Sequence, residues 1–278
     1  MNPDDKYLLE IKSKSKFSFG FKELWASSEL IYYFTWRDIK VKYKQTLFGF
    51  LWAVLQPVFM TVVFTFFLGN AISSQAKIAI PYPVFAFSGL LIWGLFSSGL
   101  TNASSSMVNN ANIIKKIYFP RLIIPISSIL AALLDFLITL ILFFVVILWY
   151  DVQINWINIL LLPLAAILTT FAALGLGMFL AAVNIKYRDV RYILPFFIQG
   201  LLFLSPIMFP ASITTNKWAS AFLQWNPIAG ALELTRSVFT DYEVNVNTIL
   251  YSSISTLFFF IFGLYYFRKT ESYFADLA

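Results

Sequence analysis

The chain has 278 residues, of which 59% are hydrophobic and only 12% are Asp, Glu, Lys or Arg, with a formal net charge of +6. Soluble domains carry about 25% charged residues, so this composition excludes a water-soluble fold. The chain contains neither Cys nor His, which excludes disulfides, thiol nucleophiles, imidazole bases and metal sites built from those side chains.

Long stretches without charge indicate where the chain crosses a membrane. A helix needs about 20 apolar residues to span the hydrocarbon core. Five stretches exceed that length without a single charged side chain, and a sixth, residues 122–150, contains only Asp135. We therefore predict an all-α integral membrane protein with six transmembrane helices. The predicted spans are residues 49–70, 82–103, 122–149, 157–183, 193–210 and 247–267, within a transmembrane domain of residues 47–270.

The basic residues predict how these spans are oriented. Seventeen of the 20 Lys and Arg residues fall in the N-terminal segment, the loops 104–121 and 184–192, and the C-terminal tail, residues 271–278 with the basic residues just before it. Cytoplasmic segments are enriched in Lys and Arg, so both termini are predicted to be cytoplasmic in a multi-pass protein of the cytoplasmic (inner) membrane. Because the positive charge follows topology, it does not predict binding to nucleic acid.

The N-terminal segment is polar and basic and lacks the apolar core of a signal peptide. Residues 1–21 are predicted to be a flexible cytoplasmic segment. Residues 22–46 predict an amphipathic interface helix, with an aromatic stripe beside a basic stripe, lying at the membrane surface among the lipids. Such a helix is either a plain anchor or also a docking element for a cytoplasmic partner. Its candidate residues are Trp25, Tyr32, Trp36, Arg37, Asp38, Lys40 and Tyr43.

Prolines interrupt the first and fifth predicted spans. Pro57 removes a backbone donor and predicts a kink in the first span. The fifth span contains three prolines, at Pro195, Pro206 and Pro210. Residues 211–243 are too polar to span and too apolar for an ordinary loop, and Asn226-Pro227 is typical of a helix start. We predict two short re-entrant helices here, because irregular backbone at membrane depth marks a pathway; the alternative is an interfacial lid.

Asp135 is the one ionisable residue deep within a predicted span, and such a residue is a functional candidate. The alternative is a structural carboxylate bonded to Ser, Thr or Asn of a neighbouring helix. A proton-driven carrier usually needs more than one such group.

The cytoplasmic loop around residues 109–121 mixes apolar and basic side chains between two long spans. An exposed surface of this kind needs burial, which a groove on a soluble partner would supply. The alternative is that the segment lies on the membrane surface.

No motif for covalent chemistry is visible in the chain. It has no Gly-rich loop ending in Lys-Ser or Lys-Thr, so it does not bind ATP in the P-loop manner. We therefore predict no catalytic residue, no metal site and no cofactor on this chain.

Five motifs in order resemble a known family, the permease subunits of ABC-2 type polysaccharide exporters, which move O-antigen, capsule or teichoic acid chains. The motifs are Arg37–Trp52 leading into Gln56-Pro57, Ile117–Arg121, Asn184–Val190, Ser205–Met208 and Asn226-Pro227. The resemblance covers residues from about 25 to the C-terminus. It implies a homodimer of six-span subunits, two copies of a separate P-loop ATP-binding subunit that holds ATP and Mg, and a lipid-linked polysaccharide as substrate.

The resemblance also implies roles for particular residues. The segment 109–119 would be a coupling helix seated on the ATP-binding subunit, and the first and fifth spans would line the pore, with the re-entrant helices at its outer mouth. The candidate coupling residues are Asn110, Ile113, Ile114, Lys115, Lys116, Ile117, Tyr118, Phe119 and Arg121. The candidate pore residues are Trp52, Gln56, Phe59, Phe197, Gln199, Trp218 and Trp225.

Two other functions stay open beside this one. An ABC-2 exporter of a small hydrophobic drug or lipid would share the architecture. An integral membrane enzyme of lipid-linked sugar metabolism would need an acidic cytoplasmic site, for which the two loops offer only Asp189.

Overall fold

A computed structural model describes residues 21–44, 51–76, 78, 80–187, 189–213, 216–271 and 274. Most of the predicted flexible N-terminus, the start of the predicted first span and the end of the tail lie outside these residues. The helices are α1 Phe21–Ala26, α2 Ser28–Lys44, α3 Leu51–Ala76, α4 Tyr82–Asn109, α5 Ala111–Lys116, α6 Ile123–Trp149, α7 Leu161–Lys186, α8 Val190–Leu204, α9 Lys217–Gln224, α10 Ala229–Arg236 and α11 Val246–Thr270.

The prediction of an all-α membrane protein is confirmed, whereas the count of six full spans is not. In the part of the chain that the structure describes, five helices are long and apolar enough to cross a membrane, namely α3, α4, α6, α7 and α11. The predicted fifth span, 193–210, is instead the 15-residue helix α8. At 1.5 Å per residue it is about 22 Å long, short of the roughly 30 Å hydrocarbon core.

The early end of α8 has a local cause. Ser205 adopts an extended backbone, with φ of −108° and ψ of 146°. It precedes Pro206, and the proline ring disfavours helical geometry in the residue before it. Pro195, in contrast, lies inside α8 without ending it.

Helix α4 is the centre of the bundle. Most of its residues are buried, and it packs against α6 and α7, while α7 also packs against α11. Aromatic rings fill the core between these helices, with Phe87 stacked on Phe143 at a centroid distance of 6.2 Å. Helices α3 and α8 lie at the margin of the bundle, and few of their side chains are buried.

The predicted interface helix is two helices. A turn at Ser27 separates α1 from α2, because the Ser27 carbonyl accepts the Leu30 and Ile31 amides at 3.0 and 3.2 Å and so begins a new helix. Helix α2 packs along α6.

Two short helices lie between α8 and α11, as predicted for residues 211–243. Helix α10 is completely buried and packs against α4, α7 and α11, whereas Leu223 is the buried residue of α9. An isolated antiparallel bridge between Ile154 and Phe239 joins the end of α10 to the loop after α6.

Candidate functional site

The predicted coupling segment is the short helix α5 followed by an extended stretch of chain that leads into α6. Helix α5 has six residues, and Ile117 after it is extended, with φ of −131° and ψ of 134°. Buried Asn110 fixes the turn before α5, since its side-chain amide donates to the Ser106 carbonyl at 2.8 Å. The segment is therefore held firmly at its start.

A hydrophobic cluster holds the inner side of the coupling segment. Ile114 and Phe119 are buried in it together with Phe34 of α2 and Phe274 beyond α11. The rings of Phe34 and Phe119 lie 5.6 Å apart, so the interface helix and the coupling segment share one core.

Arg121 also fixes the coupling segment, through the end of α11. Its guanidinium donates to the Glu271 carbonyl, and its backbone amide lies 3.4 Å from the Glu271 carboxylate. Arg268 binds the same carboxylate at 2.7 Å. Arg121 thus has an internal partner and joins the two elements.

The outer side of the coupling segment is a docking tip, which we define as Lys115, Lys116, Ile117 and Tyr118. Ile117 is 62% exposed and Tyr118 is 86% exposed, although both are large and apolar. Two lysines flank them at the end of α5. Ile113, in contrast, packs partly against the buried cluster. The nine predicted coupling residues therefore divide into an anchoring group and an exposed group.

The aromatic stripe predicted on the interface helix faces the protein only at its end, where Tyr43 bonds to Asp135. Trp25, Tyr32 and Trp36 are all exposed, whereas Phe34, which the sequence pattern did not single out, is the buried residue of α2. Lys40 lies over the Trp36 ring at 5.1 Å and Arg37 over the Phe34 ring at 4.6 Å. The exposed side of α2 is thus both aromatic and basic, which suits a membrane surface.

The seven predicted pore residues are all exposed on the single chain. Trp52, Gln56 and Phe59 share one face of α3, and Gln199 and Trp218 are exposed on α8 and α9. The structure brings together only Phe197 and Trp225, which line one cavity of about 540 Å³ with Phe222 and Phe258 among others. The role of these residues in a pore stays a prediction.

The end of α8 is pinned by side chains from three other segments. The Asn226 amide donates to the Ser205 hydroxyl at 2.9 Å, Arg236 donates to the Ile207 carbonyl at 2.8 Å, and the Tyr82 hydroxyl donates to the Met208 carbonyl at 3.1 Å. The last two bonds satisfy carbonyls of irregular backbone that lies inside the protein, as membrane proteins require.

Arg236 is a functional-site candidate that sequence reasoning missed. Its positive charge was counted only as a topology signal, yet the side chain is 1% exposed and lies over the Phe85 ring at 3.7 Å. Glu233, one turn earlier, accepts the Tyr242 hydroxyl at 3.1 Å and the Asn245 amide at 3.0 Å. Burial raises the pKa of the Glu233 carboxyl, an effect that the Asn245 amide and the Arg236 charge oppose. The three-residue spacing of Glu233 and Arg236 places both on one side of a helix. This spacing was the sequence signal that could have pointed to Arg236.

Asp135 has partners that the sequence did not predict. Its carboxylate accepts hydrogen bonds from Lys42 and Tyr43 of α2, not from Ser, Thr or Asn of another span. Throughout the described ranges, no group of three or more acidic side chains is placed to hold a metal ion.

Comparison with known proteins identifies the family. Residues 29–240 match the family model described as ABC-2 type transporter. The chain is 28% identical over 250 residues to the O-antigen export system permease protein RfbA of Klebsiella pneumoniae, covering 90% of this chain and 95% of that protein. It is 30% identical over 241 residues to the polysialic acid transport protein KpsM of Escherichia coli, covering 84% and 91%. The RfbA protein of Myxococcus xanthus is 26% identical over 225 residues, covering 80% and 85%.

This chain therefore belongs to the ABC-2 type transporter family, and it is a multi-pass membrane protein. The resemblance seen in the five motifs is confirmed.

Proposed function

We propose that this chain is the permease subunit of an ABC exporter that moves a lipid-linked polysaccharide across the cytoplasmic (inner) membrane. Two copies would form the pathway, and two copies of a separate P-loop subunit would bind ATP and Mg and hydrolyse the ATP. Relatives named for O-antigen export and polysialic acid transport support a polysaccharide as the substrate. The Gly-rich loop that binds ATP phosphates does not occur in this sequence, which supports a separate ATP-binding chain.

The docking tip is the observation that carries this proposal. Ile117 and Tyr118 project from a segment whose other side is anchored in the protein by Ile114, Phe119 and Arg121. These two neighbouring apolar side chains are exposed outside the membrane-spanning helices, where lipid does not cover them, which favours burial by a partner. The flanking lysines suit a partner groove with an apolar floor and an acidic rim.

ATP hydrolysis tests the proposal directly. We expect the chain alone to have no ATPase activity, and the complex purified with the ATPase encoded beside it to hydrolyse ATP as a 2:2 assembly. Steady-state hydrolysis and the mass of the assembly are the measurements. Failure to form a stable complex with any P-loop protein would refute the proposal.

The proposed orientation places both termini in the cytoplasm and the α8–α9 connection outside. It requires a sixth crossing, which α8 and the irregular chain after it would complete together. The chain has no Cys, so single cysteines report position without background. We expect Asn216→Cys, before α9, to react with an impermeant maleimide from outside intact cells. Tyr187→Cys, exposed after α7, should react only once the cells are opened. The reverse labelling pattern would show that the topology is opposite to the proposed one.

A second candidate function is the export of a small hydrophobic molecule. The cavity of about 540 Å³ beside α8 favours it, because its lining is mainly apolar and two of its polar residues, Ser205 and Asn226, already bond to each other. A sugar needs more hydrogen-bond partners than this lining offers. Stimulation of ATP hydrolysis by lipid-linked glycan, but not by free lipids or hydrophobic drugs, would decide for the polysaccharide.

A further inference from the structure

Helix α6 carries a stripe of polar side chains on the side that faces α2 and α3. Ser128, Asp135 and Thr139 are seven and four residues apart, which places them on one face of the helix. Each of them contacts α2 or α3. Polar groups in a membrane helix are costly unless they are paired, so this stripe is a seam between helices.

The seam begins near the hydrophobic cluster that holds the coupling segment. The Ser128 hydroxyl donates to the Asp38 carboxylate of α2 at 3.4 Å, and Arg37 holds that carboxylate at 2.7 Å. One turn earlier on α2, Phe34 packs on Phe119 of the coupling segment. Later residues of α2 therefore contact later residues of α6, so the two helices lie side by side and run in the same direction.

Asp135 is the strongest contact of the seam. Its carboxylate accepts hydrogen bonds from the Lys42 ammonium and the Tyr43 hydroxyl, and its side chain is only 16% exposed. Burial and the neighbouring Asp135 raise the pKa of the Tyr43 hydroxyl, so this group stays protonated and donates. The positive charge of Lys42 offsets the cost of a carboxylate within a span.

The seam ends at the proline of α3. Pro57 has no amide hydrogen, so it leaves the carbonyl of Ala53, four residues earlier, without its helical partner. The Thr139 hydroxyl lies 3.3 Å from this carbonyl and 2.9 Å from the Asp135 carbonyl of its own helix, so its single hydrogen is shared between the two acceptors. Helix α3 continues through Pro57, and α6 supplies the missing donor.

We propose that Asp135 is a positioning residue that fastens α2 to α6, in a seam that Thr139 extends to the start of α3, so that movement of the coupling segment reaches the first predicted span. The coupling segment leads directly into α6, and Asp135 lies between the two other contacts of the seam. Helix α3 buries few side chains of its own, so its position depends on such contacts. This inference rests on the proposed function, since it concerns how ATP-driven movement passes through the chain.

The substitution Asp135→Asn tests the inference in the assembled complex. We expect the complex to form normally, while glycan exported per ATP hydrolysed falls about 5-fold or more, the low end of the coupling between linked sites. The control Asp151→Asn makes the same chemical change at an exposed position just beyond the other end of α6. Its ratio of glycan exported to ATP hydrolysed should equal that of the wild type. A normal ratio in Asp135→Asn would overturn the inference.

Restoring the contact by other means distinguishes a positioning role of Asp135 from a role in stability alone. Exchanging the charges, with Lys42→Asp and Asp135→Lys together, should restore the ratio that either change alone lowers. In the Asp135→Asn chain, Asp38→Cys and Ser128→Cys place thiols at two positions whose side chains are in contact, and the chains that form the disulfide on oxidation have the lost contact replaced covalently. We expect oxidation to raise the ratio and a reductant to lower it again. No change on oxidation would contradict a fastening role.

Two further outcomes are distinguishable. If Asp135→Asn fails to fold, Lys42→Met with Tyr43→Phe removes the same contacts from the side of α2, and the ratio should fall equally; an unchanged ratio would refute the inference. If the wild-type chain binds no ATP-binding subunit, the proposed function fails, and the inference fails with it.

Discussion

The double substitution Ile117→Asp, Tyr118→Asp is expected to abolish binding of the chain to its ATP-binding subunit while leaving membrane insertion intact. Both side chains are exposed at the docking tip, so the change removes no internal contact of the buried cluster. Two central anchors of an interface contribute about 4 kcal/mol together, which is close to a thousandfold in Kd. Co-purification and a binding titration on the chain held in nanodiscs are the measurements.

Two control variants make this result specific. Tyr187→Asp changes an exposed tyrosine between α7 and α8 and should leave binding near the wild-type value. Ile114→Asp places a charge in the buried cluster, so we expect a loss of folded protein as well as of binding. Wild-type co-purification of the double variant would show that the docking tip does not contact the ATP-binding subunit.

The five long helices could be predicted from the sequence because a run of about twenty apolar residues without charge is typical of a membrane span. The two short helices between α8 and α11 were predicted from the prolines and the mixed polarity of residues 211–243. The end of α8 was placed too late, because an apolar run continues past Pro206 although the helix does not. Hydropathy measures the solvent that a segment prefers and does not report where its helix ends.

Periodicity identified the interface helix but not the residue that attaches it to the protein. In a membrane, lipid and protein core are both apolar, so the aromatic residues of a helix do not reveal which of them each one faces. Trp25, Tyr32 and Trp36 are exposed, whereas Phe34 packs in the protein. Phe34 is buried in a cluster that includes Phe119, which is 85 residues further along the chain.

Asp135 also shows that the sequence does not reveal which distant residues meet in the fold. Its place within a span marked it as important from the sequence alone. Its partner Lys42 lies 93 residues away, in a segment whose lysines looked like ordinary topology signals. Arg236 was missed for the same reason, since a charge that is counted for orientation is easily overlooked as a buried hydrogen-bond donor.

The close crossing of α7 and α11 supports the prediction with the largest effect on folding. A β-carbon on Gly263 would overlap the backbone of Gly175, and one on Gly175 would lie 2.6 Å from the Phe259 backbone. Backbone cannot move aside as a side chain can, so Gly263→Ala must separate two helices that share a large interface. We expect a loss of about 3 kcal/mol, the upper end for overpacking, seen as a lower unfolding temperature and a reduced yield of folded protein.

Gly94 of α4 provides the matched control for this prediction. A β-carbon there would meet nothing within 4 Å, so Gly94→Ala adds the same methyl group to a helix without a steric cost. Alanine favours helix over glycine by about 1 kcal/mol, so this variant should unfold at the wild-type temperature or above it. Because both variants gain the same helix propensity, their difference isolates the contact between α7 and α11. Equal unfolding temperatures for the two variants would show that Gly263 does not pack against Gly175.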